Sequence, residues 1–490
     1  MAKIGVFILL LATNNKMSLI ARRNERQQLD QLLCSNSAEF MAIYGRRRVG
    51  KTYLVREHFK KELCFELTGL QAGKLKEQLT YFHEELERRT KKSGLSVPQS
   101  WQGAFKQLRD YLEKLRGDKK RVIFLDEIPW LDSHRSGFKK ALDHFWNTFL
   151  SRHPRFILII TGSAASWIVK NVINDKGGLH NRITAPSLRL EPFKLGEVEA
   201  YLKSNRVSLT RYDIITVAMV MGGIPMYLKD IEPGQSAAQA IQKSCFSQQG
   251  RLRTEFTNLY HSLFDHPERH LDLVRELAKH PLGRTRAQLQ KIYTSGGRLS
   301  RTLFELEEAS FITAHEPFGN RKSGAVYRLT DEYSLFYLKW IEGKGAKGHD
   351  SFLNTETSAW RAWSGYALES LAFKHIDQIK RSLEIGGLQI SAHSWVHRKN
   401  DTWPDGAQID LLIDRPDNSI NLLEIKFSKE PFVINANYAK NLRNKVGTFR
   451  GVTGTRKNLF LTFLTTQGIQ KNKYSNELVA NGITTDQLFG

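Results

Sequence analysis

The segment at residues 40–52, FMAIYGRRRVGKT, constrains this chain more than any other segment. Its first five residues are apolar and predict a buried strand, and the residues that follow it, YLVREHF, predict a helix. Between them lies the pattern G-x-x-x-x-G-K-[ST], whose backbone N–H groups favour a bound phosphate chain. We therefore expect the loop to bind ATP, with Lys51 on the β- and γ-phosphates and Thr52 on Mg²⁺. The expected nucleotide contacts are Gly45, Arg46, Arg47, Arg48, Val49, Gly50, Lys51 and Thr52.

A second apolar run ends in two adjacent acids at residues 121–130, RVIFLDEIPW. Four consecutive apolar residues indicate a strand that is buried on both faces, as in a parallel sheet. An acid at the carboxyl end of such a strand lies beside the phosphate loop. We therefore expect Asp126 to hold Mg²⁺ and Glu127 to polarise the attacking water.

A third buried strand is predicted at residues 156–160 and is followed by Thr161, Gly162 and Ser163. A polar side chain at this position can sense the γ-phosphate, so Thr161 and Ser163 are both candidates. Because such strands alternate with predicted helices, the sequence indicates a doubly wound α/β sheet with nucleotide at the carboxyl ends of its strands.

Length and charge limit the possible partners. A chain of 490 residues is long enough for about three domains. The net charge of +23 favours a polyanion, nucleic acid before an anionic membrane. The three cysteines lie far apart, which argues against disulfides and zinc and fits a reducing cytoplasm. The apolar run at residues 4–12 is too short to span a bilayer, and we expect residues 1–17 to be an extension.

Several segments together resemble the AAA-type ATPases that are common in archaea and many bacteria and are related to the STAND signalling ATPases. These segments are GRRRVGKT, VIFLDE, TGSAAS, GLHNRITAPSLRLEPF and GGIPMYL. The resemblance implies that Arg182 lies near the γ-phosphate, although a surface arginine would fit the sequence equally well. It also implies a helical lid in which Gly222, Gly223 and Pro225 lie near the base.

Residues 266–342 predict a winged helix, with three helices followed by a hairpin around residues 319–322. Five basic residues and no acid lie between Pro281 and Arg301. Such a helix can lie along DNA with its arginines on phosphates or guanine edges. The alternative is a connecting domain whose basic face is only solvated. The expected DNA contacts are Arg284, Arg286, Lys291, Arg298 and Arg301.

The C-terminal segment carries a second set of chemically useful residues. A predicted hairpin has Asp410 on its first strand and Glu424 and Lys426 on its second, and alternation places the latter two on one face. Two carboxylates and a lysine on one sheet face suit Mg²⁺-dependent phosphodiester cleavage. The arrangement resembles the restriction-endonuclease-like PD-(D/E)xK fold, and a hairpin with solvated charges also matches it.

That resemblance implies that Asp410, Glu424 and Lys426 are catalytic, with Mg²⁺ or Mn²⁺ at the acids. Glu369, on a helix predicted at residues 363–376, would be a further metal ligand, and Asp405 competes with Asp410. Residues 431–474 contain eight lysines and arginines and no acid, interleaved with aromatic residues, which suits a nucleic-acid backbone.

The sequence thus predicts an α/β chain with a P-loop NTPase parallel-sheet domain, a helical lid, a winged helix and a restriction-endonuclease-like α/β domain. The predicted domains are an extension at 1–17, the ATPase core at 18–193, the lid at 194–265, the winged helix at 266–342, a linker at 343–351 and the nuclease-like domain at 352–490. The predicted function is an ATPase coupled to DNA binding and metal-dependent cleavage. The alternative is an ATP-dependent regulator or signalling switch with an inactive nuclease-like domain. RNA as a target and a homo-oligomeric assembly both stay open.

Overall fold

The computed structural model of this protein divides between Glu191 and Pro192 into two compact units. The described residues are 19–91, 94, 96–174, 178–293, 296–319, 324–343, 357–401 and 406–490. The predicted extension at 1–17, most of the linker at 343–351, most of the hairpin turn at 319–322 and Asp405 lie outside them.

The first unit is built on a parallel five-stranded sheet with the order β2-β3-β4-β1-β5. Its strands are β1 (Glu39–Tyr44), β2 (Leu63–Thr68), β3 (Arg121–Asp126), β4 (Phe156–Gly162) and β5 (Leu188–Arg189). All seven residues of β4 and five of the six residues of β3 are buried, as expected for strands covered on both faces. The predicted parallel α/β sheet is confirmed.

Helices of the first unit pack an aromatic core against one face of this sheet. Trp101 meets Phe138 edge to face with 4.8 Å between ring centroids, and Phe105 stacks on Phe145 at 5.0 Å. The helices are α1 (Arg23–Cys34), α2 (Lys51–His58), α3 (Leu75–Thr90), α4 (Trp101–Glu113), α5 (Ile128–Leu131), α6 (Phe138–Thr148) and α7 (Ala165–Ile168). Shorter helical turns are Leu150–Arg152, Val169–Ile173 and Leu179–Arg182.

The second unit begins with a helical segment that is anchored by close backbone packing. A Cβ at Gly223 would lie 1.9 Å from the carbonyl oxygen of Phe193, so only glycine fits there. The helices are α8 (Leu195–Ser204), α9 (Arg211–Met221), α10 (Pro225–Leu228), α11 (Ala237–Ile241) and α12 (Arg251–Leu263), with a helical turn at Gln242–Phe246.

The next segment joins four helices to a small antiparallel sheet with the order β6-β8-β7. The helices are α13 (Pro267–Ala278), α14 (Arg286–Gln290), α15 (Gly296–Glu308) and α16 (Glu332–Trp340). The strands are β6 (Arg284–Thr285), β7 (Ile312–His315) and β8 (Val326–Leu329).

The C-terminal segment forms a mixed sheet with the order β13-β12-β11-β10-β9. The strands are β9 (Ser391–His397), β10 (Ala407–Asp414), β11 (Ser419–Lys426), β12 (Asn458–Thr465) and β13 (Asn481–Thr484). β9, β10 and β11 pair antiparallel, whereas β11, β12 and β13 pair parallel. The helices are α17 (Ser358–Lys374), α18 (Ile376–Ser382), α19 (Ala436–Thr453), α20 (Lys473–Leu478) and a 3₁₀ turn at Thr485–Phe489.

α19 crosses over between the parallel strands β11 and β12 and covers one face of this sheet. Leu442 and Phe449 of the helix belong to the same buried cluster as Ile420 and Leu422 of β11. Alternate residues of β11 therefore point toward α19, and Glu424 is next in that series.

No helix of the described segments has the length and apolarity needed to cross a membrane.

A buried histidine ties α8 to the C-terminal helices of the second unit. His375 Nε2 lies 3.0 Å from the Leu195 amide nitrogen, and Nδ1 lies 2.8 Å from the Leu371 carbonyl oxygen. The neutral ring satisfies both contacts when Nε2 accepts and Nδ1–H donates. Burial lowers the pKa of His375 to about 4.

We predict that acid destabilises the second unit through His375. The His375 ring of the unfolded chain has its ordinary pKa of 6.5 and binds a proton below that pH, whereas the folded ring, with a pKa of about 4, stays neutral until the pH approaches 4. The free energy of unfolding should therefore fall between pH 7 and 5, by about 1–2 kcal/mol from this residue. Urea unfolding of His375→Gln should show a smaller loss over this interval. The half-exposed His261 provides the control, since His261→Gln should keep the parent's pH dependence. An equal loss in His375→Gln and the parent would contradict the prediction.

Candidate functional site

The loop after β1 has a backbone that requires glycine at its first position. Gly45 has φ of 137°, and a Cβ there would lie 2.4 Å from the carbonyl oxygen of Leu190. α2 begins directly after Gly50, at Lys51. The first N–H groups of α2 have no partner within the helix and carry its positive dipole end, so they favour an anion at this loop.

Lys51 is buried at the centre of the loop. Its Nζ donates to the carbonyl oxygens of Gly45 at 2.9 Å and Arg46 at 3.0 Å, and to Ser163 Oγ at 3.2 Å. Burial lowers the pKa of Lys51 to about 8, although the nearby Glu127 and Asp126 favour its charged form. The loop therefore holds a cation that is only partly compensated.

Asp126 and Thr52 provide the oxygen atoms that suit Mg²⁺. Thr52 Oγ1 donates to Asp126 Oδ2 at 2.9 Å, and Thr161 Oγ1 donates to the other carboxylate oxygen. A hydroxyl and a carboxylate in contact beside a phosphate loop form a hard donor set. The residues present thus fit a nucleotide-bound Mg²⁺.

Ser163 holds Glu127 in place. Its backbone N–H donates to Glu127 Oε2 at 2.9 Å, and its hydroxyl donates to Oε1. Glu127 itself has φ of 52°, in the left-handed region, and its N–H lies 3.3 Å from Thr161 Oγ1. The structure thus brings the hydroxyl of Thr161 to the carboxylate of Asp126 and the hydroxyl of Ser163 to that of Glu127.

The other residues predicted to bind nucleotide lie in varied surroundings. Arg46 is buried, and the guanidinium of Arg47 lies 5.8 Å from the centre of the Trp130 ring. Arg182 pairs with Asp143 of α6 at 3.0 Å. The γ-phosphate contact of Arg182 therefore stays a prediction. In this structure the guanidinium of Arg182 has Asp143 as its partner instead. Pro225 is the first residue of α10 in the second unit.

One residue at the loop was missed from the sequence. Arg22, at the start of α1, is buried with φ of 59° and donates to the Val49 carbonyl oxygen at 3.2 Å. It also pairs with Glu25 at 3.1 Å. The contact joins positions that are 27 residues apart, so no local pattern could have indicated it.

A second cluster lies on the mixed sheet, where Asp410 and Glu424 are both buried. Leu411 pairs with Leu423 between β10 and β11, so the next antiparallel position sets Asp410 opposite Glu424. Asp410 accepts the Ile425 N–H at 3.0 Å. Burial and the neighbouring Glu424 raise the pKa of Asp410.

Glu424 has three side-chain partners. Its Oε2 accepts from the Tyr438 hydroxyl at 2.8 Å and lies 3.4 Å from Lys426 Nζ, and its Oε1 lies 2.5 Å from Lys445 Nζ. Burial opposes the charge of Lys426, but the adjacent Glu424 raises the pKa of this lysine. Tyr438 and Lys445 were not predicted here. Their spacing of seven residues, two helical turns, is the signal that could have placed both on one face of α19.

Glu369 of α17 lies beside this cluster and near Arg328 Nη2 of β8, at 3.8 Å. Burial and the charge of Asp410 raise the pKa of Glu369 to about 8. Two facing carboxylates are a suitable donor set for a divalent cation. In the described part of the chain, however, no three His, Cys, Asp or Glu side chains form a metal-binding group. The proposed role of Glu369 as a third ligand therefore stays a prediction.

The basic residues predicted to contact DNA divide into paired and exposed ones. Arg301 pairs with Glu305 at 2.7 Å, and Arg284 pairs with Glu276 at 3.4 Å. Both acids lie outside the acid-free stretch of the sequence. Arg286 donates to Ser300 Oγ at 2.9 Å. Arg298 and Lys291 are exposed, and no acid among the described residues pairs with them.

The C-terminal basic tract, residues 431–474, divides in the same way. Lys445, Arg443 and Lys457 pair with Glu424, Glu477 and Asp414 respectively, at 2.5, 2.7 and 2.5 Å. The remaining basic residues of the tract are exposed, namely Lys440, Arg450, Arg456, Lys471 and Lys473.

Comparison with known proteins finds similarity over both units. Residues 37–199 match the family model of an AAA domain. An uncharacterized protein of Methanocaldococcus jannaschii is 23% identical over 421 residues, which cover 83% of this chain and 87% of that protein.

Among solved structures, a Walker-type ATPase of Pyrococcus abyssi is 18% identical, with a TM-score of 0.49 over 66% of this chain and 97% of its own. The Aeropyrum pernix ORC2 protein is 16% identical, with a TM-score of 0.41 over 69% and 94%.

The AAA match covers β1 to β5 and includes the loop, Lys51 and both acids after β3. The sheet order and the network around Lys51 agree with that match. Residues 37–199 of this chain therefore form a P-loop domain of the AAA type.

Proposed function

We propose that this protein hydrolyses ATP at residues 45–52 and uses its nucleotide state to control a nucleic-acid-binding second unit. The observation that carries the ATPase proposal is one continuous network. Lys51 bonds to Ser163, Ser163 bonds to Glu127, and Thr52 bonds to Asp126, so the loop and both acids share one edge of the sheet.

The residues of this network have distinct roles in the proposed reaction. Lys51 exchanges its loop carbonyl partners for phosphate oxygens, which compensate its buried charge better. Thr52 and Asp126 would hold Mg²⁺, which neutralises developing charge on the phosphates when bound. Glu127 orients the attacking water once Ser163 releases its carboxylate.

The ATP site is tested by two substitutions that should affect different steps. Lys51→Ala should weaken ATP binding by about 10- to 100-fold, because it removes a charge-assisted donor to the phosphates. Glu127→Gln should retain binding but lose about 100-fold or more in turnover, since the amide cannot polarise water. Fluorescent-nucleotide titration and phosphate release measure the two steps. Exposed residues of the same unit provide controls, Lys60→Ala and Asp118→Asn. Turnover of Glu127→Gln at the parent's rate would show that Glu127 does not polarise the attacking water.

We further propose that α13 to α15 with the small antiparallel sheet form a winged helix that binds DNA. The three-helix segment, the antiparallel strands after it and the exposed Arg298 and Lys291 support this proposal. An exposed arginine without an acidic partner can bind a phosphate without first breaking an ion pair. Arg301 would have to give up Glu305.

DNA binding should therefore depend more on Arg298 than on Arg301. Arg298→Ala should lower affinity and reduce the slope of log affinity against log salt by about one. Arg301→Ala provides the matched control on the same helix and should have the smaller effect. Fluorescence anisotropy with a labelled duplex at several salt concentrations measures both. An unchanged slope in Arg298→Ala would assign the contact to the C-terminal basic tract instead.

A second candidate function is metal-dependent nucleic-acid cleavage by the C-terminal segment. The observation that favours it is the placement of Asp410 opposite Glu424, with Lys426 Nζ 3.4 Å from that glutamate. The two acids would hold Mg²⁺ or Mn²⁺, which when bound supplies an activated water. Lys426 is close enough to stabilise charge that develops on a phosphate.

Cleavage is tested with labelled DNA, ATP and Mn²⁺. The full-length protein should cut the DNA, and Asp410→Asn should lose at least about 100-fold of that activity, because one of two metal-holding acids is removed. Asp414→Asn changes an acid on the same strand that pairs with Lys457 and should keep the activity. If the parent protein cuts nothing and Asp410→Asn binds Mn²⁺ as the parent does, the regulator with an inactive nuclease-like domain replaces this proposal.

A further inference from the structure

The helix α19 directs two side chains at the same buried carboxylate. Tyr438 and Lys445 are two helical turns apart and therefore share a face. The Tyr438 hydroxyl binds Oε2 of Glu424 at 2.8 Å, and Lys445 Nζ binds Oε1 at 2.5 Å. Both oxygens of Glu424 are thus held from the side of the sheet that α19 covers.

Lys445 reaches the buried carboxylate of Glu424 from a partly exposed position. The Lys445 side chain is 18% exposed, whereas that of Glu424 is 2% exposed. Asp410, opposite Glu424, accepts from the Ile425 N–H and, at 3.4 Å, from Gln408 Nε2. The ammonium of Lys445 occupies Oε1 of Glu424, whereas Tyr438 and Lys426 lie at Oε2, so a divalent cation that binds Oε1 has to compete with Lys445.

We propose that Lys445 is a resident counter-ion that keeps a divalent cation off Asp410 and Glu424 until a DNA phosphodiester draws its ammonium away. This inference rests on the proposed cleavage function, because it assumes that the two acids are metal ligands. It assigns Lys445 a positioning role, and it makes metal binding depend on the nucleic acid.

The chemistry of this exchange follows from the residues around Lys445. An ammonium at 2.5 Å from a carboxylate oxygen disfavours a divalent cation on that oxygen, because the two positive charges repel and the ammonium already compensates the carboxylate. The long lysine stem lets the ammonium move from carboxylate to phosphate while its backbone stays on α19. Lys440 and Arg450 of the same helix are exposed and can hold the neighbouring backbone charges. If DNA removes Lys445 from Glu424, DNA and metal must raise each other's affinity.

The test measures Mn²⁺ affinity of the full-length protein by electron paramagnetic resonance of free Mn²⁺, without nucleotide. Lys445→Met keeps the apolar stem and removes the charge, and it should bind Mn²⁺ about tenfold more tightly than the parent. Lys457 provides a matched control, because it also lies 2.5 Å from a carboxylate of this sheet, Asp414. Lys457→Met should leave Mn²⁺ affinity unchanged.

A short DNA duplex completes the test, with Mn²⁺ binding by the duplex alone subtracted. The duplex should raise the Mn²⁺ affinity of the parent by a larger factor than that of Lys445→Met, because only the parent also gains from the departure of the ammonium. Lys445→Gln, checked by circular dichroism for folding, gives a second variant that should behave as Lys445→Met does.

Two contrary results distinguish the failure of this inference from the failure of the cleavage proposal. If the parent binds Mn²⁺ in an Asp410-dependent way and Lys445→Met binds it equally or more weakly, Lys445 is no barrier and the cleavage proposal stands. If the parent and both folded Lys445 variants bind no Mn²⁺, with or without DNA, the metal site itself is absent and both proposals fail.

Discussion

The buried ammonium of Lys51 is the constraint on which the nucleotide-binding edge depends. A cation taken out of water needs compensation, and here the loop carbonyls, Ser163 and the two acids after β3 supply it together. The strand order sets β4 between β3 and β1, so the acids, the serine and the loop arrive at one edge. A bound triphosphate would meet a site whose positive charge is already fixed in position.

Charge compensation also organises the second unit, with the signs reversed. Asp410 and Glu424 are buried carboxylates, and Glu369 beside them is partly buried. Besides burial, the charge of Glu424 raises the cost of ionising Asp410, and the charge of Asp410 raises that of Glu369. The cations near them come from separate elements, namely Arg328 of β8, Lys426 of β11 and Lys445 of α19. The small antiparallel sheet thereby contacts the acid cluster through Arg328, whose positive charge lowers the cost of ionising Glu369.

The net positive charge of the chain is less available than its sequence indicates. Several basic residues of the two predicted nucleic-acid surfaces form ion pairs with acids from neighbouring elements, such as Arg301 with Glu305 and Arg443 with Glu477. Exposed pairs of this kind contribute little to stability, about 0–1 kcal/mol each. Their main effect is a difference among the basic residues. Those without an ion pair can contact a phosphate directly, whereas the paired ones must first break an ion pair.

The sequence by itself determined the elements whose signals are local. Apolar runs followed by polar ends gave β1, β3 and β4, and alternation along β11 placed Glu424 and Lys426 on one face. Only the tertiary structure decided the partners of these residues. Arg22 reaches the phosphate loop, and Lys445 reaches Glu424 across 21 positions of the chain. Periodicity reports which face a side chain occupies, whereas an ion pair between distant elements depends on how those faces pack together.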